Sequence, residues 1–205
     1  QNFADISYVN AVASSTCENL IVIFASMGIA VNKEIATSLY TGIITDTGGF
    51  RYNVSTETMN FCSMLLETGI EYQKIYRRLF DVTSIGKTKL IARCLDRLEL
   101  LEDGKIAFSY TTLKDLEELG IEESETEGLV NFGRNIDTVE VSILAKEKDT
   151  NSYKISMRAN EYVDISLVAT KFAGGGHLRA SGCNILLPLE SVKTSLVEEI
   201  KKQLK

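Results

Sequence analysis

The sequence holds one histidine, His177, in 205 residues, so it can contain no histidine cluster. Cysteine is sparse too. Cys17, Cys62, Cys94 and Cys183 lie far apart and none belongs to a C-x-x-C pair, which speaks against a zinc site. Dispersed, unpaired cysteines suit a reducing compartment, so a cytoplasmic location is expected. No apolar run is long enough to span a bilayer, and no charged start followed by an apolar run marks a signal peptide. Basic excess is lacking as well. A net charge of -6 argues against a broad, sequence-blind nucleic-acid surface, but it leaves room for a local basic pocket that takes a small anion.

What is present divides into two patterns. Ser15-Thr16-Cys17-Glu18 matches a capping box before an apolar run at helical spacing: Leu20, Ile21, Phe24 and Met27. Asn32 can cap a second helix with Ile35, Leu39 and Ile43 on one face, stopped by Gly48 and Gly49. A third helix starts at Ser55 and Thr56 and ends near Gly69, and two more follow near 71–79 and 84–98. Beyond 98–104 the pattern changes. "DGKIAFSY", "TVEVSILAKE", "NSYKISMRA" and "SGCNILLP" read as strands, with "KDTN" as a hairpin turn. "LKDLEELG", a helix capped by Asp164 and an amphipathic helix over 189–204 lie between and after them. The expected fold is α/β, a helical part over 1–98 and an α/β part with a small mixed sheet over 99–205.

Two stretches carry chemistry. "KFAGGGHLRASG" places Gly174, Gly175 and Gly176 directly before His177, between a helix and a strand. Glycine lets backbone N–H groups approach a ligand, so this loop could converge on an anion, with His177, Arg179 and Ser181 as further donors. It reads equally as a glycine-rich turn beside a solvated histidine. "KISMRAN" puts Arg158 on a strand, with Lys154 and Ser156 on its face. Its planar fork suits phosphate, although a strand arginine often lies on a solvated face. In "TGIITDTGGF", Asp46 ends an apolar helix, where the dipole disfavours a carboxylate unless a cation neutralises it. Hard divalent ions take such oxygen ligands. A turn-forming aspartate fits the same residues.

Taken together, "ASSTCENL", "LYTGIITDTGGFRYN", "KISMRAN" and "FAGGGHLRASGC" resemble segments of the DHH/DHHA1 phosphoesterase family, in family order and over nearly the whole chain. The most similar subgroup is the bacterial bifunctional oligoribonucleases and pAp phosphatases. The resemblance implies a DHH domain with two manganese ions, a DHHA1 domain that holds substrate, and a cleft between them. It implies Asp46 as a metal ligand and catalytic residue. It implies His177 as catalytic and substrate-binding, with Gly174, Gly175, Gly176 and Arg158 on the substrate and Arg134 and Ser181 as weaker matches. It implies short RNA or nucleotide phosphates as partners, no membrane, and a homodimer through the DHH part. One departure stands out: the Asp-His-His motif is absent. The chain is therefore expected to be a C-terminal piece that hydrolyses little alone and leaves apolar faces of helices 16–28 and 33–45 uncovered. The alternatives are a nucleotide- or RNA-binding module without turnover and a cyclic-dinucleotide phosphodiesterase.

Overall fold

The computed structural model describes residues 5–205, in two compact units that divide between Val82 and Thr83. The first unit is helical: α1 (Thr16–Ser26), α2 (Lys33–Asp46), α3 (Thr56–Glu67) and α4 (Tyr72–Tyr76), which runs on as a π-helical turn over Arg77–Asp81. Side chains of Ser15, Asn32 and Ser55 accept the N–H groups of Cys17, Ile35 and Thr58, so each cap falls where the sequence places it. Glu18 does not close its box on Ser15. Its carboxylate accepts the backbone N–H and the hydroxyl of Ser14 instead.

Helix α2 is the centre of this unit. Ala36, Leu39, Tyr40, Ile43 and Ile44 are all buried, packed with Ile21 of α1 and with Cys62 and Leu65 of α3. The expectation of uncovered apolar faces therefore fails for α2 and holds for α1. There Leu20 and Met27 stay exposed, Met27 at 67%.

The second unit contains α5 (Ile85–Asp96), β1 (Glu99–Leu101), β2 (Ile106–Thr111), α6 (Leu113–Leu119), α7 (Val130–Arg134), β3 (Val141–Asp149), β4 (Ser152–Ala159), α8 (Ile165–Lys171), β5 (Gly175–His177), β6 (Ala180–Leu186) and α9 (Leu189–Lys201). The strands form one sheet in the order β1-β2-β3-β4-β6-β5, with β2 and β3 parallel and the other neighbours antiparallel. The fold is thus α/β with a small mixed sheet. Helix α5, grouped by the sequence with the first part, packs on β2 and α6.

Alternation sorts the sheet into two faces. On one, Phe108, Ile143, Ile155 and Met157 pack against Val168 of α8 and Leu196 of α9. On the other, Leu144 is covered by Leu90 of α5 and Val130 of α7, and α7 also reaches β4. Across β4, β6 and β5 that face carries Lys154, Ser156, Arg158, Asn184 and His177. β1 and β5 were not foreseen because three residues are too few for a period of two to register. Helix α9 ends at Lys201, three residues short of the expected end.

One buried carboxylate ties α5 to α6. Asp115 is 2% exposed, accepts the N–H and hydroxyl of Thr112, and is held by Arg93 at 2.9 Å and by both Nη atoms of Arg97. Burial alone would raise its pKa. The Arg97 guanidinium, the Thr112 backbone and Arg93 outweigh that and hold the carboxyl well below the usual carboxylate range. A depressed folded pKa gives stability that is complete above the unfolded value of about 3.9 and is lost as pH falls further. Asp115→Ala should cost about 1–3 kcal/mol at pH 7 in urea unfolding, because it removes the buried acceptor of the Thr112 cap and of the partly exposed Arg97, while Arg93 keeps Glu118. The difference from the parent chain should narrow below about pH 4; a gap that does not change with pH would show that the carboxylate is not the source.

Candidate functional site

Residues directly opposite each other on neighbouring strands project from the same face. Ser142 on β3 faces Arg158 on β4, Arg158 faces Ala180 on β6, and Ala180 faces His177 on β5. Arg158 and His177 thus flank one alanine, with Cα atoms about 9–10 Å apart from the strand spacing. Alanine leaves the space between them open. His177 is exposed and Arg158 half-buried, with one Nη donating to the Met157 carbonyl at 2.9 Å. The next row is Ser156, Gly182 and Gly175, and the row beyond is Lys154 and Asn184. A groove of about 360 Å³ runs along these rows, lined among others by Lys154, Ser156, Gly174, Gly182 and Asn184. Cys183 also lines it, but burial pushes its thiol up to about 11, so at neutral pH it is no nucleophile.

The glycine stretch is an edge strand rather than an open loop. Gly175–His177 pair with β6, and the Gly174 N–H donates to the Ala169 carbonyl at 2.9 Å. Gly174 therefore offers that N–H to no ligand, and the three glycines do not form the concave nest that the sequence suggests. Two of them are required by packing. A Cβ on Gly174 would lie 2.3 Å from the Gly182 carbonyl oxygen, and one on Gly176, at φ 143°, would lie 2.5 Å from that of Ala180. Gly175 is different: a Cβ there would meet nothing within 4 Å.

The other expected donors are placed less directly. Ser181 points to the core side beside Met157, and its hydroxyl donates to the His177 carbonyl at 2.8 Å. It holds the His177 backbone, and the residue also lies along the groove. Arg179 donates to the carbonyls of Val163 and Glu161. It braces the segment before α8, where the buried Glu140 carboxylate also accepts the N–H groups of Glu161, Tyr162 and Val163. Arg134 ends α7, next to Gly133, which packs so closely on Ser142 that an added Cβ would lie 2.4 Å from its hydroxyl. Its carbonyl accepts the Asn160 side chain at 2.9 Å.

Asp46 lies in the first unit at the exposed end of α2. Its Oδ2 accepts the Ser15 hydroxyl at 2.7 Å, and Ser15 is the N-cap of α1. The positive end of the α1 dipole therefore offsets the misplaced charge without a cation. A manganese pair needs several hard donors around it. Among the described residues no three His, Cys, Asp or Glu side chains gather in a group that could hold a metal. The described residues do not fit two ions.

This arrangement, a glycine-rich edge strand and an arginine strand meeting across one sheet face, lies in the second, α/β unit. The chain belongs to the DHHA1 domain family, whose pattern residues 103–205 match. Over all 205 residues it is 31% identical to a probable bifunctional oligoribonuclease and PAP phosphatase of Streptococcus mutans, and covers 64% of that protein. It is 29% identical over 188 residues to the bifunctional oligoribonuclease and PAP phosphatase of Bacillus subtilis, covering 89% of this chain and 58% of that one. A solved exopolyphosphatase-related protein from Bacteroides fragilis matches with a TM-score of 0.91 at 30% identity, covering 98% of this chain and 60% of the other. The chain thus spans about three fifths of the length of these relatives.

Lys146, Asn184 and Ser142 were missed from the sequence. They join the face only through strand register, which pairs residues distant in sequence. Gly175→Ala should fold with the parent's thermal midpoint, whereas Gly174→Ala should lose about 1–3 kcal/mol through overpacking. Equal losses in the two variants would mean that the face at Gly175 is not open.

Proposed function

We propose that the protein is a phosphoesterase of short oligoribonucleotides and 3'-phosphoadenosine 5'-phosphate, and that the second unit of this chain holds the substrate. One observation carries this reading: Arg158 and His177 share a row across β4, β6 and β5 with only Ala180 between them. A phosphate centred over Ala180 can take a forked pair of N–H groups from Arg158 and one from the imidazole. Ser181 fixes the His177 backbone from behind, and the bare Gly175 lets a sugar or base lie close to the sheet. The relatives' activities on oligoribonucleotides and PAP support the same substrate class. Free cysteines and a nucleotide substrate suit a cytoplasmic setting.

A second reading is a nucleotide-binding chain without turnover, favoured by the lone Asp46 carboxylate. Both readings give the residues of this chain binding work. They differ in product formation. The 205-residue chain should bind pAp and a short RNA in calorimetry but release little phosphate or nucleotide from either when manganese is added. His177→Ala should weaken binding of both by about tenfold or more, as expected for loss of a charge-assisted contact. Rapid hydrolysis by this chain would overturn the assignment of Asp46 as an insufficient site. Unaltered binding by His177→Ala would remove the row from the function.

A further inference from the structure

The face that carries Arg158 does not end there. Two rows along, Lys146 on β3 stands directly opposite Lys154 on β4. Cross-strand Cβ atoms of such a pair are about 4.5–5.5 Å apart, and like charges placed this way are destabilising. Lys146 is only 8% exposed. Burial, and then the Lys154 charge beside it, hold its ammonium below the ordinary lysine range. Glu123 and Glu127 act on it from the other side, yet Glu123 is already paired with Lys148. Among the described residues neither Lys146 nor Lys154 has an ion-pair partner within 4.0 Å.

This juxtaposition is made by a specific irregularity. Asp149 faces Ser152 across the hairpin, and a bulge follows between Glu147 and Asp149. Without it the ladder would continue with Glu147 opposite Lys154, an attractive pair. With it, Glu147 faces Tyr153 and Lys146 faces Lys154. Bulges re-aim side chains and recur beside functional sites. Here the bulge replaces an attraction with a repulsion at the end of the groove that Lys154 and Asn184 line. An anion between the two ammonium groups turns that repulsion into two attractions.

We propose that Lys146 and Lys154 form a second phosphate subsite, which takes the phosphodiester two nucleotides beyond the phosphate held at Arg158 and His177. The inference rests on the function proposed above and specifies its substrate as an oligonucleotide chain. Lys154 is four residues from Arg158 along β4, so their Cα atoms are about 13–14 Å apart. That spacing suits the phosphates of a dinucleotide or longer chain. It exceeds the separation of the two phosphates on one nucleoside. Ser156 and Asn184, on the same face between and beside the two subsites, offer neutral hydrogen bonds to the intervening sugar.

The test is calorimetric binding of a 3'-phosphorylated RNA trinucleotide and of pAp to the 205-residue chain at two salt concentrations. Lys154→Ala and Lys146→Met should each lower the ratio of RNA to pAp affinity by about tenfold and flatten the salt dependence of RNA binding, since each removes one phosphate contact. Lys154→Arg should keep the ratio. Lys146→Met conserves volume and removes a buried charge, so its thermal midpoint should hold or rise, which keeps the test valid if Lys154→Ala folds poorly. An unchanged ratio in both lysine variants overturns the second subsite and leaves the proposed function standing. A parent chain that binds neither ligand overturns both.

Discussion

Strand β4 is paired on both edges, to β3 and to β6, and everything at the candidate site depends on where that double pairing locks. Its alternation gives Tyr153, Ile155, Met157 and Ala159 to the core and Lys154, Ser156 and Arg158 to the opposite face. A slip of one residue would exchange the two sets, burying two cations and a serine. The hydrophobic set cannot be moved without losing its packing on α8 and α9, so the polar set is held with equal firmness. His177 is added to the row by β5, a strand too short to stand without β6 behind it.

The surroundings of that face are built to keep the backbone still rather than to supply more ligands. Ser181, Arg179 and Glu140 are all polar, yet their hydrogen bonds go to main-chain groups of His177, Glu161, Tyr162 and Val163. Gly174 and Gly176 allow main chain to pass main chain at distances no side chain tolerates. What faces away from the core there is two cations, Arg158 and Lys154, with the His177 imidazole, on an otherwise acidic protein. A local positive field of that kind is enough for a small anion and too narrow for a long strand.

The first unit poses the opposite problem, a negative charge at the wrong end of a helix. Its answer in this chain is local: the Ser15 hydroxyl and the start of α1 meet Asp46. Chemistry at phosphorus asks for more than that pairing provides. The proposed function therefore draws its phosphate-binding residues from the second unit and the Asp46 carboxylate from the first.

Helix caps, the capped ends at Gly48 and Gly120, the long strands and the α/β class were legible in the sequence, because each follows from neighbours within four residues. So were Arg158, Lys154 and Ser156 as one face, since a strand's period of two needs no partner. The glycines and His177 announced a site, but their form as an edge strand depends on β6. The turning of Ser181 inward and the commitment of Arg179 to carbonyls are likewise tertiary. So is the meeting of Lys146 with Lys154: an unbulged ladder from the Asp149–Ser152 pair would have set Glu147 there. A single bulged residue changes every partner beyond it, and it is defined only by the pairing of two strands, which no pattern within one strand records.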